Sequence, residues 1–232
     1  MLATLAAILA LTPVPPIPNG PTEAERMERL FGKPVDPDGD CTFRLDGNKL
    51  VITVPDKPHA LEDGKPTYSN APRVLRDAGG NFRAQVKVVC RLPPDLTPKG
   101  GVRVDYYAAG LLVYGSDTNF VAWETTRGVA GRPRALAARS AVDRDTNEQV
   151  LGGRGTLYSP TKPHWLLLTR RDELVEYEAS KDGKTWEPIC SQKRIRFLPT
   201  LKVGLLAEHN GKKGFTATFE DFTVEPLTEP KK

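Results

Sequence analysis

From Cys41 onward, apolar and polar residues alternate with a period of two through a series of short segments. In Asn81–Val89, for example, four apolar residues alternate with Arg83, Gln85 and Lys87. This pattern is typical of strands that bury one face in a core. Strands are therefore predicted over Thr42–Leu45, Leu50–Val54, Arg73–Arg76, Asn81–Val89, Val102–Tyr114, Asn119–Thr126, Arg134–Ala141, Gln149–Leu151, Thr200–Ala207 and Phe215–Val224, with two more between Trp165 and Ser180.

Glycine-containing turns separate many of these segments. Asp182-Gly183 predicts a tight turn within Ser180–Trp186, because Gly adopts positive φ and Asp bonds the local backbone. About a dozen short strands with no helix between them predict an all-β fold, a two-sheet antiparallel β-sandwich of the jelly-roll type. Trp165 and Trp186 are interpreted as packing residues of the core or rim.

One short helix is predicted before the strands, over Thr22–Phe31. Thr22 and Glu25 form a capping-box pattern, and three apolar residues share one face of the helix. We expect this helix to pack on the outside of the sandwich or to be loosely tethered to it.

The first eleven residues, Met1–Leu11, are almost wholly apolar and precede a Pro-rich stretch, which is typical of a secretory signal. We therefore expect a secreted, periplasmic or cell-envelope protein without a transmembrane segment. The predicted organisation is a leader at 1–20, a short helix and linker at 21–40, a β-sandwich domain at 41–226 and a charged tail at 227–232.

Composition and charge limit the classes of binding partner that we expect. The 232 residues are 39% hydrophobic and 27% charged, and the formal net charge of +4 is spread along the chain. No Lys/Arg run is longer than two residues, so we expect no nucleic-acid partner. Cys41, Cys90 and Cys190 lie far apart without metal-binding spacing, and both one disulfide with a free thiol and three free thiols are compatible with the sequence.

Four stretches carry a resemblance to a known superfamily: Asn81–Val88, Tyr106–Val113 with Asn119–Val121, Ser180–Trp186, and Val203–Ala207 with Ala217–Val224. The chain resembles the concanavalin A-like lectin/glucanase superfamily from Cys41 to Glu225. Within it, the sequence is most similar to the uncharacterised domain of regulation-of-enolase-type proteins and of the C-terminal modules of some β-xylosidases. The resemblance implies a β-sandwich without a settled activity, because one fold hosts many chemistries.

Three positions depart from the pattern of that family. The places where it has Gln, a basic residue and Lys hold Ala108, Tyr114 and Ala122 in this chain, whereas Glu124 is retained. A groove at these strands is therefore expected to be more aromatic and apolar than in the family.

Strand parity predicts a candidate ligand surface. Five side chains are expected to project away from the core, and if their strands share one sheet they form one surface. Aromatic rings stack on the apolar side of sugar rings, and carboxylates accept hydroxyl hydrogen bonds, so this surface suits a glycan. The candidate ligand-binding residues are Tyr114, Phe120, Glu124, Glu176 and Glu178.

Catalytic motifs are absent from the sequence. Retaining glucanases of this fold carry Glu-x-Asp-x-x-Glu on one strand, and no such string occurs here. His59, His164 and His209 are isolated, and we expect the first two, which each neighbour a Pro, in surface turns. No cofactor is expected except a structural calcium ion, for which Asp221 is the candidate residue, although an exposed strand position that alternates with core Phe222 is the favoured interpretation of Asp221.

Three functions agree with these observations. The first is a non-catalytic carbohydrate-binding or glycan-associated module of an exported protein. The second is a protein–protein or envelope structural module, which needs no pocket. The third is a glycoside hydrolase, which needs an acid and a base or nucleophile in one groove. An enzymatic role is the least favoured of the three, and no catalytic residue is assigned.

Overall fold

The computed structural model describes residues 20–61, 69–91, 106–127, 136–142, 145–150, 162–192 and 195–228. Two antiparallel sheets of seven strands each account for most of them, with one short helix. The predicted β-sandwich is therefore confirmed. The predicted leader and charged tail lie almost entirely outside the described residues.

The helix and the fourteen strands follow one another in chain order. Their bounds are α1 Glu23–Leu30, β1 Lys33–Val35, β2 Thr42–Asp46, β3 Lys49–Val54, β4 Arg73–Ala78, β5 Phe82–Arg91, β6 Tyr107–Ser116, β7 Asn119–Arg127, β8 Leu136–Val142, β9 Asp145–Val150, β10 His164–Arg171, β11 Leu174–Ser180, β12 Glu187–Gln192, β13 Leu201–His209 and β14 Phe215–Pro226.

The strand order places the elements in two layers. The first sheet has the order β1-β4-β13-β6-β7-β8-β9, and the second has the order β12-β11-β10-β5-β14-β3-β2. The chain crosses between the sheets several times, as in Greek-key sandwiches. Strands that are distant in sequence, such as β6 and β13, therefore become neighbours.

One core fills the space between the sheets. Trp123 of β7 is fully buried there, packs against Tyr177 of β11 with ring centroids 5.4 Å apart, and donates its indole N–H to the carbonyl of Glu178 at 2.9 Å. A buried Trp needs one such partner. This contact ties the first sheet to the second.

Helix α1 closes one edge of the core. The side-chain oxygen of Thr22 accepts a hydrogen bond from the backbone N–H of Glu25. The carboxylate of Glu25 accepts one from the backbone N–H of Thr22, so the predicted capping box is present. Met27 is 4% exposed and Phe31 2%, and Phe31 stacks on Phe222 of β14. The helix is therefore packed against the sandwich and is not loosely tethered.

Three details differ from the sequence predictions. Strands β1 and β12 were not predicted, because a three-residue edge strand and a strand containing Pro188 give weak period-two signals. Strand β9 begins at Asp145, four residues before the predicted start at Gln149. The predicted start of a strand at Val102 lies outside the described residues.

The predicted hairpin turn between β11 and β12 is present. Gly183 adopts a φ of 72°, and the carboxylate of Asp182 accepts the backbone N–H groups of Lys184 and Thr185, both at 2.8 Å. Trp165 packs on the turn, where a Cβ on Gly183 would come within 2.9 Å of its ring. Trp165 and the half-buried Trp186 therefore lie outside the central core, as rim residues.

Removing the charge of Asp182 tests this turn. The hydrogen bonds from Thr185 and Lys184 hold the pKa of Asp182 well below its ordinary value of about 3.9. A carboxyl group whose pKa is lower in the folded than in the unfolded protein stabilises the fold at pH values above its unfolded-state pKa. This stabilisation is lost as the pH falls through the lower, folded-state pKa. Below pH ~5 we therefore expect the free energy of unfolding of Asp182→Asn to fall less steeply with pH than that of the wild type. Urea unfolding at a series of pH values measures both slopes, and equal slopes would contradict the assignment.

Gly204 of β13 tests the close pairing of the first sheet. A Cβ at this position would lie 1.7 Å from the carbonyl oxygen of Val74, so Gly204→Ala must push β4 and β13 apart. We expect it to cost about 3 kcal/mol of folding free energy, as overpacking does at its upper range. Gly79→Ala is the matched control, because a Cβ at Gly79 meets nothing within 4 Å. Chemical denaturation measures both, and similar stabilities for the two variants would show that the sheet relaxes freely.

Candidate functional site on the outer face of the first sheet

The outer face of the first sheet, which points away from the second sheet, carries its own apolar cluster. The members come from five strands of that sheet and from the segment between β3 and β4. The cluster consists of Leu61, Ala71, Leu75, Leu112, Phe120, Ala122, Ala141 and Leu206, with Val35 and Tyr114 packed against it. The first sheet is therefore buried on both faces over much of its area.

The segment around Leu61 lies directly on this outer face. Its backbone N–H donates to Glu208 of β13 at 2.9 Å, and its carbonyl oxygen accepts from Arg139 of β8 at 3.0 Å. Leu61 is itself fully buried. The segment thus covers the middle of the face by hydrogen bonds to two different strands.

Below this cover, Arg139 joins two buried carboxylates, and we call these three residues the Arg139 triad. Its Nε donates to Glu124 at 2.8 Å, and its Nη2 lies 2.7 Å from Glu208. Both glutamates are 0% exposed. Burial opposes the positive charge, but Glu124 and Glu208 outweigh it and hold the pKa of Arg139 well above its ordinary value. The triad is thus a buried ion cluster with one more acidic than basic group.

A second polar group lies on the same face, where Tyr114 pairs with Phe120, and we call it the Tyr114 cluster. The hydroxyl of Tyr114 donates to Asp117 at 2.7 Å, and the guanidinium of Arg73 lies 4.9 Å from the ring centroid. Burial and the hydrogen bond to Asp117 raise the pKa of Tyr114. The hydroxyl therefore remains a donor at neutral pH. The ring of Tyr114 is half-buried, and the side chain of Asp117 is 45% exposed, so this cluster is reachable from solvent.

The structure brings together three of the five candidate residues. Tyr114, Phe120 and Glu124 lie on the outer face of the first sheet, where β6 and β7 pair side by side. Phe120 is only 2% exposed and Glu124 is fully buried, so neither presents a surface for a ligand. Of these three, only Tyr114 is accessible.

Glu176 and Glu178 lie elsewhere, so the expectation of one common surface is wrong. Strand β11 belongs to the second sheet, and both carboxylates are on its outer face, beside Arg171 at 3.4 Å and Arg83 at 4.0 Å respectively. Strand parity assigns a side chain to the core or to the outside, but it does not say which sheet a strand joins. The outward orientation of both residues was predicted correctly.

Sequence reasoning missed most of the polar residues on this face. The sequence does single out two of them. Arg139 is the only charged residue of Leu136–Val142, and Glu208 is the only charged residue of Val203–His209, and both stretches are otherwise nearly apolar. A charge in a strand buried on both faces requires a partner.

The prediction that His59 and His164 lie in surface turns is wrong. His59 and His209 are fully buried and His164 is 2% exposed. The backbones of His59 and His209 pair with each other at 2.8 and 2.7 Å, and His209 stacks on Tyr107. Cys41, Cys90 and Cys190 are unpaired, which agrees with the alternative of three free thiols.

This architecture is a two-sheet antiparallel β-sandwich. Residues 44–227 match the family described as a protein of unknown function, DUF1349, and the chain belongs to that family. Among curated protein sequences, none matches the chain.

Several solved structures share the fold at low sequence identity. A functionally unknown protein from Saccharomyces cerevisiae is 18% identical, with a TM-score of 0.61 over 84% of this chain and 97% of that one. The GH43 protein BlXynB from Bacillus licheniformis is 15% identical, with a TM-score of 0.59 over 83% of this chain but only 36% of that one. A β-1,3-1,4-glucanase (lichenase) from a mouse hindgut metagenome is 12% identical, with a TM-score of 0.53 over 83% and 91%.

Within the part of the chain that the structure describes, no helix combines the length and the apolar character that crossing a membrane would need.

The Arg139 triad is expected to be sensitive to removal of its cation. Arg139→Met leaves Glu124 and Glu208 buried without their counter-ion, which costs about 3–5 kcal/mol in comparable buried clusters. Arg83→Met is the control, because Arg83 is 46% exposed and we expect a change within about 0.5 kcal/mol. Urea unfolding monitored by Trp fluorescence measures both variants. Equal stability of the two would show that the triad is not a structural centre.

Proposed function

We propose that the chain is a non-catalytic, glycan-associated β-sandwich module that binds its ligand at the Tyr114 cluster. The observation that carries this proposal is the half-buried aromatic ring of Tyr114, which has Arg73 over its face and Asp117 at its hydroxyl. The middle of the same face is filled by its own apolar cluster. The proposal therefore retains Tyr114 from the sequence prediction and replaces the other four residues by Arg73 and Asp117.

The chemistry of the Tyr114 cluster suits a sugar. Arg73 lies over one side of the Tyr114 ring and the apolar cluster packs against the ring, so a sugar would stack through its C–H groups on the part of the ring that solvent reaches. Asp117 would accept hydrogen bonds from hydroxyl groups, and the ring is already ordered by two polar partners. Preorganised side chains lose less entropy on binding than mobile ones.

The fold supports the same class of ligand. The structural neighbours with TM-scores above 0.5 include proteins whose names refer to xylan, β-glucan and alginate. These names describe those proteins. For this chain, with at most 15% identity to them, they favour polysaccharides as the first ligands to examine. The finer likeness to regulation-of-enolase-type domains and to β-xylosidase modules belongs to this proposal as well.

The Arg139 triad supports a non-catalytic role. Glycoside hydrolysis uses two carboxyl groups that flank the scissile bond. The two carboxylates of this face, Glu124 and Glu208, are held by one guanidinium beneath the segment around Leu61. A sugar could reach them only if that segment moved away.

The exposed surface favours a glycan over a protein partner. Leu198, at 43% exposure, is the one large exposed hydrophobic residue among those that the structure describes. Protein-binding surfaces are recognised by larger contiguous apolar patches.

Calorimetric titration of the protein with soluble xylan, mixed-linkage β-glucan and alginate tests the proposal. We expect saturable binding to one of them, and Tyr114→Ala should weaken it at least about tenfold, since one stacking contact contributes roughly 1.4 kcal/mol. Asp117→Asn should weaken it as well.

The matched control is the double variant Glu176→Gln/Glu178→Gln on the other sheet, which should bind as the wild type does. Absence of binding to all three polysaccharides would contradict the proposal. Loss of binding in the double variant instead of Tyr114→Ala would place the ligand on the second sheet. Turnover of aryl-glycosides that Glu124→Gln abolishes would show an enzyme instead.

A further inference from the structure

Three metal-ligating side chains converge at the other end of the sandwich, away from the Tyr114 cluster. Asp40 and Cys41 lie just before β2, and His59 follows β3. One ligand atom from each lies within 4.8 Å of the others. Among the residues that the structure describes, no other such group of His, Cys, Asp and Glu occurs.

The distances between these atoms fit a tetrahedral metal site. Nε2 of His59 is 3.3 Å from Oδ1 of Asp40, Sγ of Cys41 is 3.8 Å from the same oxygen, and Sγ is 4.0 Å from Nε2. Bond lengths of about 2.0–2.3 Å at tetrahedral angles place the ligand atoms of zinc roughly 3.3–3.7 Å apart. A shift of a few tenths of an ångström in Cys41 would complete the fit.

The hydrogen bonding of His59 gives a second, independent reason. Its Nδ1 lies 3.2 Å from the carbonyl oxygen of Asn70, which can only accept, so Nδ1 carries a proton. Nε2 then faces the carboxylate oxygen of Asp40 at 3.3 Å, so that either a proton or a metal cation can lie between the two atoms. The imidazole is fully buried. A histidine that donates its other N–H to a backbone carbonyl is the usual metal ligand, and His59 has this arrangement.

The surrounding charges orient the ligands. Lys57 bonds the other oxygen of Asp40 at 2.8 Å and also Asp38 at 3.1 Å, which leaves Oδ1 of Asp40 directed at His59. The carboxylate of Asp36 accepts the backbone N–H of Cys41 at 2.8 Å and fixes the loop that carries both ligands.

We propose that Asp40, Cys41 and His59 form a binding site for a borderline-soft divalent cation of the zinc type, with water as the fourth ligand. Thiolate, imidazole and carboxylate together are the ligands that zinc prefers. Binding replaces the proton of the Cys41 thiol by the metal, forms the sulfur–metal bond and releases that proton to solvent. Asp40 is exposed and Cys41 half-buried, so the ion has access.

The position of the site gives it a structural role. Asp40 and Cys41 lead into β2, the edge strand of the second sheet, whereas His59 pairs through its backbone with His209 at the end of β13 in the first sheet. A bound ion would therefore join the two sheets at this end. The proposal does not depend on the proposed glycan function, because the two sites share no residue.

The test uses the full chain after treatment with EDTA. Zinc titration by calorimetry should show one ion per chain, and cobalt(II) should give thiolate-to-metal charge-transfer absorption with the visible bands of tetrahedral coordination. Cys41→Ser should abolish the charge-transfer band and weaken zinc binding about 100-fold, and Asp40→Asn should weaken it at least about tenfold. Zinc should raise the melting temperature of the wild type but not that of Cys41→Ser.

Cys190→Ser is the matched control, because Cys190 is a half-buried free thiol far from this cluster. It should keep the cobalt spectrum and the zinc affinity of the wild type. The proposal is overturned if zinc does not bind, if the cobalt complex lacks the thiolate band, or if Cys41→Ser and Cys190→Ser behave alike. Because His59→Gln removes a buried side chain and can unfold the protein, Asp40→Asn at an exposed position keeps the test decisive.

Discussion

The guanidinium of Arg139 determines how the outer face of the first sheet is used. It holds two buried glutamates from β7 and β13 and also bonds the carbonyl oxygen of Leu61, so one cation fixes two strands and the segment that covers them. Leaving either carboxylate buried without this partner would be costly. The covering segment and the sheet are therefore coupled, and the middle of the face is closed.

Because the middle of the face is closed, the two candidate sites lie near the two ends of strand β13. Along β13, Lys202 lies opposite Tyr114, whereas His209 at the other end pairs with His59. The Tyr114 cluster offers an aromatic ring with polar neighbours, and the Asp40–Cys41–His59 group offers a nitrogen, a sulfur and an oxygen. The fold thus separates a surface suited to sugars from a group suited to a cation.

The sequence was sufficient for most of the strands and for the faces of their residues, because alternation is a local property of the backbone. Trp123 is in the core and Glu124 on the opposite face, as parity predicts. Sheet membership is not local, since it depends on which distant strand supplies the hydrogen bonds. For this reason Glu176 was placed on the wrong sheet. Burial of Phe120 also depends on the apolar cluster of the outer face, to which residues outside the strands contribute.

The approach of Cys41 to His59 also depends on which strands pair. It can be deduced from the sequence once the pairing of β2 with β3 is known. The hairpin of β2 and β3 pairs Thr42 with Thr53, so the chain before β2 and the chain after β3 meet at one end. Cys41 and His59, eighteen positions apart, are then neighbours although no metal-binding spacing links them. Metal motifs with fixed spacing describe single turns and loops. A site assembled across a hairpin must instead be found by adding the strand register to the sequence.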